Sequence, residues 1–197
     1  MFFISRILFF IQRKLEKIYS TLFCVYCQRQ LKSCGIKFRI HYTSSILSLN
    51  CISVGDNFNT GPRLRLRAYN EYENQQYHPT IQIGNDFYAG VDCAITAVGN
   101  IYIGHNVTFA SRVTVIDHSH GRNDYSDIDL PVMKRFLGVK GDIIIEDNVW
   151  LCEGVIVLSN VRIGKNSIIG ANSVVTKNIP ENSIACGIPA KVVKNLK

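Results

Sequence analysis

GDIIIEDNVWLCEGVIVLSNVRIGKNSIIGANSVVTK, residues 141–177, repeats one pattern every six residues. Six aliphatic residues recur at this spacing without a break: Ile145, Leu151, Val157, Ile163, Ile169 and Val175. A six-residue period matches neither the 3.6-residue turn of an α-helix nor the two-residue alternation of a strand. We expect short strands joined by tight turns and stacked in coils, so that the aliphatic side chains form an inward ladder.

The same period continues towards the start of the chain. Two further sets keep it, and a poorer set precedes them: Ile103, Phe109 and Val115; Ile83, Ala89 and Ile95; and Ile36, Tyr42, Ser48, Val54, Thr60 and Leu66. The tetrapeptides IGHN (103–106) and IGKN (163–166), with the variant IGND (83–86), recur beside these positions. Their Gly or Asn is predicted to supply the left-handed conformation of the turns.

Two segments break the period. Residues 69–79, YNEYENQQYHP, are too polar and aromatic to form a coil, and residues 117–140 are the second break. Insertions in a solenoid loop out on one face and often carry function. We therefore expect these two excursions to hold chemically active groups.

Positive charge is concentrated in one part of the chain. Residues 1–40 contain eight Lys and Arg and one acid, Glu16, whereas residues 41–197 contain fourteen of each sign, so the net charge of +7 belongs to the first segment. A nucleic-acid groove on the main body is therefore not expected. Seven cysteines, with a single CxxC pair at Cys24 and Cys27, predict free thiols in a reducing compartment.

The first 27 residues have the pattern of an amphipathic helix. One apolar stripe alternates spacings of four and three: Ile4, Leu8, Ile11, Leu15, Ile18, Leu22 and Val25. Basic residues interrupt the apolar run well before the ~20 residues of a membrane span. Two interpretations stay open. The stripe packs on the protein's own body or on sister helices, or residues 1–25 lie in a membrane interface with Arg and Lys at anionic head groups.

The repeat resembles the hexapeptide repeat of left-handed parallel β-helix acyltransferases. The later segments NVW (148–150), IIGANSVVTKNIP (168–180) and GIPAK (187–191) are similar to the galactoside and maltose acetyltransferases and to related polysaccharide O-acetyltransferases. This resemblance implies an all-β fold, a left-handed parallel β-helix with an N-terminal amphipathic α-helix and an extruded catalytic loop. The expected organisation is a helical segment at 1–34, the β-helix at 35–190 and a C-terminal tail at 191–197.

The heptapeptide VIDHSHG, residues 115–121, opens the larger excursion and holds two candidate bases. In the family that it resembles, a loop histidine five residues beyond an inward aliphatic is the general base. Counting from Val115 selects His120, with His118 as the alternate. Histidine can take the proton of a sugar hydroxyl while that oxygen attacks a thioester carbonyl. Its other ring nitrogen needs an acceptor, for which the candidate carboxylates are Asp117, Asp124 and Asp127.

The resemblance also implies a site for acetyl-CoA and one for a sugar acceptor. The donor-side positions are Trp150, Gly154, Ala171, Thr176, Lys177 and Lys191. The family's acceptor-binding Asn aligns with Gly90 here, so Asp92 and Asp117 are the candidate acceptor contacts. Glu153, in place of a small residue, and Leu158-Ser159-Asn160, in place of an N-P-G turn, are further departures. The acceptor is therefore expected to differ from that of the best-studied members.

These features predict an acetyl-CoA-dependent O-acetyltransferase acting on a sugar or oligosaccharide in bacterial surface polysaccharide synthesis. By resemblance it is a cytoplasmic homotrimer with active sites between subunits, and residues 1–25 leave peripheral contact with the inner membrane face open. One alternative is an amino-sugar N-acetyltransferase. The other is a structural β-helix, or one that binds zinc through the His-x-His pair and His105. No metal and no nucleic acid are expected.

Overall fold

A computed structural model describes residues 2–121 and 127–196 of the chain. The chain winds through three sheets whose strands pair in parallel, apart from the last strand, and each of the central coils adds one strand to every sheet. Sheet A contains β1 (Ser33–Cys34), β3 (Ile52–Val54), β8 (Thr80–Ile83), β11 (Asn100–Ile103), β16 (Ile143–Ile145) and β19 (Val161–Ile163). Sheet B contains β4 (Asn59–Thr60), β9 (Tyr88–Ala89), β12 (Thr108–Phe109), β17 (Trp150–Leu151), β20 (Ile168–Ile169), β22 (Ser183–Gly187) and β23 (Ala190–Asn195). Sheet C contains β2 (Ser45–Leu47), β5 (Arg65–Ala68), β10 (Ala94–Ala97), β13 (Thr114–Ile116), β18 (Ile156–Val157) and β21 (Val174–Val175).

The register of the last coils follows the hexapeptide period. Ile145 pairs with Ile163, which is 18 residues or three repeats later, and Val157 pairs with Val175 at the same offset. All six aliphatic residues of the opening stretch are at most 1% exposed. The predicted inward ladder is confirmed here, and the three parallel sheets fit a left-handed β-helix.

The ladder of the first coil differs from the prediction. Ile36 is 65% exposed, and the inward positions are instead Cys34, which pairs with Val54, and Ile46, which pairs with Leu66. The assignment of Ile36, Tyr42 and Ser48 to the ladder is therefore wrong. Both pairs span 20 residues, two more than a regular coil, so counting back in sixes shifts the register by two.

Asparagines form one corner of the coil. Asn106, Asn148 and Asn166 have φ angles of 54°, 57° and 60°, a region that costs other L-residues about 1–2 kcal/mol. Their side chains bond along the corner: the amide of Asn106 donates to Asn148 at 2.9 Å, Asn148 to Asn166 at 3.0 Å, and Asn166 to Asn182 at 2.7 Å. The left-handed turns predicted for Asn are confirmed.

The glycine of the same motif has a different role. Gly104 does not adopt the left-handed conformation, but a Cβ added there would lie 2.8 Å from a backbone nitrogen of the next coil. Glycine at this position therefore allows close stacking of the coils rather than the turn itself.

One helix, α1 (Phe2–Gln30), precedes the coil. Its last turn packs on the first coil through Cys27, which is fully buried, and burial raises the pKa of that thiol to about 12. The Cys24 Sγ also lies 3.2 Å from the Ile40 carbonyl oxygen. In residues 2–121 and 127–196, no helix has the length and apolar character needed to cross a membrane.

Two small hairpins leave the coil at the predicted excursions. The first is β6 (Glu71–Tyr72) with β7 (Gln75–Gln76), and the second is β14 (His118–His120) with β15 (Leu137–Val139). Hydrogen bonds and an ion pair join the two excursions. The Tyr72 hydroxyl donates to the Met133 carbonyl at 2.8 Å, the Leu137 amide donates to the Tyr77 hydroxyl at 2.9 Å, and the Lys134 ammonium lies 3.2 Å from the Glu73 carboxylate. At the other end of the chain, the segment expected to be a tail forms β23, antiparallel to β22.

Candidate active site

The histidine pair lies on the strand that leaves sheet C. β13 ends at Ile116, Asp117 follows, and His118 begins β14. His118 and His120 share one face of β14 because side chains two residues apart point the same way. Their surroundings differ, and this difference separates the two candidates.

Asp117 holds His118 in one orientation. Asp117 is fully buried, and one carboxylate oxygen lies 2.9 Å from the Nδ1 of His118. The carboxylate also accepts hydrogen bonds from the Val98 amide at 2.9 Å and the Gly99 amide at 2.8 Å. An ionised carboxylate only accepts hydrogen bonds, so Nδ1 carries the proton, and Nε2 of the neutral ring is left to accept one.

His118 opens onto a groove of about 420 Å³ at the corner where sheet C gives way to sheet A. The groove is lined by Ile116, His118, Ser119, Gly138, Lys140, Leu158, Ser159, Asn160 and Thr176. The groove therefore brings together His118, the predicted donor-side residue Thr176, and the turn at 158–160 that replaces the family's N-P-G turn. Asn160 makes that turn with a φ of 62°, as asparagine was expected to do.

His120, the first choice from the sequence, does not line this groove. Its ring lies edge-on to Tyr72, with the ring centroids 5.4 Å apart. Its Nδ1 is buried and has no hydrogen-bond partner among the described residues. Of the other candidate carboxylates, Asp127 is 6% exposed, and Asp124 lies outside the described residues.

Tyr69 is a neighbour of the candidate site that the sequence did not single out. Its ring meets the His118 ring edge-on at 5.6 Å, and its hydroxyl accepts a bond of 3.3 Å from Arg67. The only signal in the sequence was the aromatic, polar composition of residues 69–79. The two segments that break the period therefore locate the candidate site together, because one excursion packs against the other.

The remaining donor-side residues lie elsewhere on the chain. Trp150 is 48% exposed on the outer face of β17, and Lys191 is exposed on β23, both in sheet B. Gly154 and Ala171 lie at the corner between sheets B and C, whereas Lys177 follows Thr176 at the groove. Because sheet B does not border the corner between sheets C and A, one chain does not bring Trp150 together with His118.

The two candidate acceptor contacts already have partners. Asp92 forms a two-bond ion pair with Arg63 at 2.5 and 2.7 Å, which holds the pKa of its carboxyl below the usual value. It also precedes β10, at the opposite end of the sheet C strands from His118. Glu153, which stands where the family often has a small residue, is also in an ion pair, with Arg112 at 2.7 Å.

The zinc alternative finds no geometric support in the described residues. His105 lies at the corner between sheets A and B, where its Nδ1 accepts a 3.0 Å bond from the Asn85 amide. In residues 2–121 and 127–196, no group of three or more His, Cys, Asp or Glu side chains is placed to hold a metal ion.

A parallel β-helix of six-residue repeats is typical of hexapeptide-repeat transferases. The profile of the bacterial transferase hexapeptide family (six repeats) matches residues 142–177. The putative lipopolysaccharide biosynthesis O-acetyl transferase WbbJ of Escherichia coli K12 is 34% identical over 159 residues, covering 79% of this chain and 77% of WbbJ. The chain therefore belongs to the hexapeptide-repeat acyltransferase family.

Other similarities extend this picture. The galactoside O-acetyltransferase of Lactococcus lactis is 38% identical over 116 residues, which is 59% of this chain but only 53% of that relative. A maltose O-acetyltransferase structure from Clostridium difficile has 25% identity and a TM-score of 0.58, covering 96% of this chain and 89% of that one. The N-acyltransferase AntD from Bacillus cereus, with 22% identity and a TM-score of 0.67 over 94% of this chain and 88% of AntD, shares the fold.

Proposed function

We propose that this protein is an acetyl-CoA-dependent O-acetyltransferase acting on a sugar hydroxyl in surface polysaccharide synthesis. The observation that carries the proposal is the buried Asp117–His118 pair facing the groove. Two similar proteins, at 34% and 38% identity, are named O-acetyltransferases of lipopolysaccharide biosynthesis and of galactosides. Amino-sugar N-acetylation is the second candidate, and its support, AntD at 22% identity, extends only to the fold.

The mechanism follows from the orientation of the His118 ring. Nε2 takes the proton of the sugar hydroxyl as the oxygen attacks the acetyl carbonyl, and the Asp117 carboxylate stabilises the imidazolium that forms. The new C–O bond replaces the C–S bond, and the departing CoA sulfur receives the proton from His118. Catalysis by such a base contributes roughly 10²–10⁴-fold.

We assign the base to His118 rather than His120. His118 has both an orienting carboxylate and an open groove, whereas the buried Nδ1 of His120 has neither a described partner nor access to that groove. The offset of five residues from Val115, taken from the resemblance, favoured His120, but β14 pairs antiparallel with β15 outside the coil. The six-residue register therefore does not carry into this strand.

The separation of the candidate residues supports an active site shared between copies. His118, Thr176 and Lys177 line or adjoin the groove, while Trp150, Gly154, Ala171 and Lys191 lie on sheet B or at the corner that follows it. In a homotrimer, sheet B of one subunit would complete the groove of the next. We propose that acetyl-CoA binds between the two and that the reaction takes place in the cytoplasm.

Thiol release from acetyl-CoA over a panel of sugar acceptors tests this function. We expect His118→Ala to lose roughly 10²-fold or more in turnover while calorimetry still detects CoA binding. His120→Ala is the matched control and should lose much less. The reverse order would move the base to His120, and a protein that neither releases thiol nor binds CoA would refute acyl transfer.

The product separates the two acyl-transfer candidates. An O-acetyl ester is cleaved by mild alkali, whereas an N-acetyl amide survives the same treatment. Recovery of free acceptor after alkali supports O-acetylation, and an alkali-stable product would overturn it in favour of N-acetylation.

A further inference from the structure

The apolar stripe of α1 faces away from the protein's own body. Leu22 and Ile18 are 61% and 55% exposed, although Cys27, little more than one turn further on, is fully buried against the first coil. Five residues separate Leu22 from Cys27, which places them about 140° apart around the helix. The stripe therefore does not pack on the coil, and that alternative from the sequence is wrong.

Apolar surface also extends beyond the stripe in the first half of α1. Phe9 and Phe10 are 61% and 58% exposed, and neither belongs to the stripe. Leu8 and Ile11, which do belong to it, are 60% and 47% exposed. This part of the helix is thus apolar on most of its circumference, in contrast to a helix with a single buried seam.

Basic residues accompany this apolar surface. The helix carries four basic residues in this part, Arg6, Arg13, Lys14 and Lys17, but only one acid, Glu16. Among the described residues, none of the four makes an ion pair. The Arg13 guanidinium lies 5.9 Å from the centre of the Phe9 ring, and the Lys14 ammonium lies 4.7 Å from that of Phe10. Each cation thus lies against an exposed aromatic ring.

We propose that α1 lies in the interface of a bilayer that contains anionic lipid, with Phe9 and Phe10 among the acyl chains. A bilayer interface accommodates both properties, because it buries aromatic and aliphatic side chains and supplies anionic head groups to Arg and Lys. Self-association through the stripe would cover Leu8, Leu15 and Leu22 but leave both phenylalanines in water and the positive charges unpaired. This proposal goes beyond acyl transfer and does not depend on it.

Co-sedimentation of the full-length protein with vesicles tests the proposal. We expect binding to vesicles of phosphatidylcholine with phosphatidylglycerol, weaker binding to phosphatidylcholine alone, and a decrease with added salt. Removing two charges with Arg13→Gln and Lys17→Gln should weaken binding to the anionic vesicles roughly thirtyfold, at about a factor of five per charge. The matched control, Lys32→Gln with Lys37→Gln, removes the same charge from the body.

A second pair of variants separates the membrane from a sister helix. The double variant Phe9→Ala with Phe10→Ala leaves the stripe intact, and alanine favours the helix. It should weaken vesicle binding by roughly tenfold per phenylalanine. Circular dichroism should be unchanged, because neither ring contacts the body. Wild-type protein that stays in the supernatant with both kinds of vesicle overturns the proposal. The proposal is also overturned if Leu15→Asn dissociates an oligomer while the phenylalanine variant binds vesicles as the wild type does.

Discussion

The last coils and the two hairpins are built in opposite ways. Residues 143–175 pair at a constant offset, and each inward aliphatic is almost fully buried. The β6–β7 hairpin is largely exposed and is tied to the β14–β15 hairpin by a few polar bonds. Burying an aliphatic side chain contributes about 1.5–3 kcal/mol, whereas a hydrogen bond contributes about 0.5–1.5 kcal/mol net. The scaffold is thus held by repeated burial, and the candidate site by a small number of specific contacts.

The largest effect is expected in the scaffold. Leu151→Ala removes a fully buried side chain between neighbouring coils and should lower the free energy of unfolding by about 2–5 kcal/mol. Trp150→Ala is the matched control on the same strand, since Trp150 points outward and its loss should cost far less. Urea denaturation measures both, and equal losses would mean that the ladder does not dominate stability.

At the site, the orientation of His118 is the feature to break. Asp117→Asn removes the charge that stabilises the imidazolium, and its amide group must face at least one of the donors that now meet a carboxylate oxygen. We expect a loss of roughly 10–100-fold in thiol release.

An exposed carboxylate provides the comparison for this variant. Asp142→Asn makes the same chemical change in a carboxylate that accepts a 3.0 Å bond from the Asn100 side chain and does not line the groove. Its rate should match the wild type. A similar rate loss in both variants would argue against a role of Asp117 through His118.

The asparagine corner allows a smaller test of the scaffold. Asn166 has a φ of 60° and bonds to the asparagines on either side. Alanine and glycine both remove these bonds, but only alanine is strained in the left-handed region. Asn166→Ala should therefore be less stable than Asn166→Gly by about 1–2 kcal/mol. Thermal unfolding of the two variants checks the order, and equal stability would mean that the backbone conformation is not the constraint.

The smallest effect is expected where the hairpins meet. Tyr72→Phe removes one hydrogen bond to the Met133 carbonyl and should cost at most about 0.5–1.5 kcal/mol. The loss should be local, appearing as faster amide exchange in β14 and β15 with little change in the last coils. Tyr88→Phe is the control, since the Tyr88 side chain is 45% exposed on β9, and it should leave exchange in both regions unchanged.

Part of the candidate site was readable from the sequence. The break in the period located both excursions, and the composition of VIDHSHG identified the histidines and Asp117. The choice between the histidines could not be read, because an offset of five residues from Val115 assumes one fixed path for the chain once it leaves the coil. His118 has already left it for β14, where pairing with β15 sets the position of each side chain. The extra residues of the first coil shifted Ile36 out of the ladder for a related reason.

By itself, the sequence determined the coil of the last repeats, because inward position, turn residue and spacing are all encoded within six neighbouring residues. It also determined where the two excursions interrupt the period and that the first helix is apolar and basic. Only the tertiary structure decided which carboxylate holds which histidine, that Tyr69 lies against His118, and that the stripe of α1 faces outward. Each of these features depends on contacts between residues far apart in the chain, and a six-residue period contains no information on such contacts.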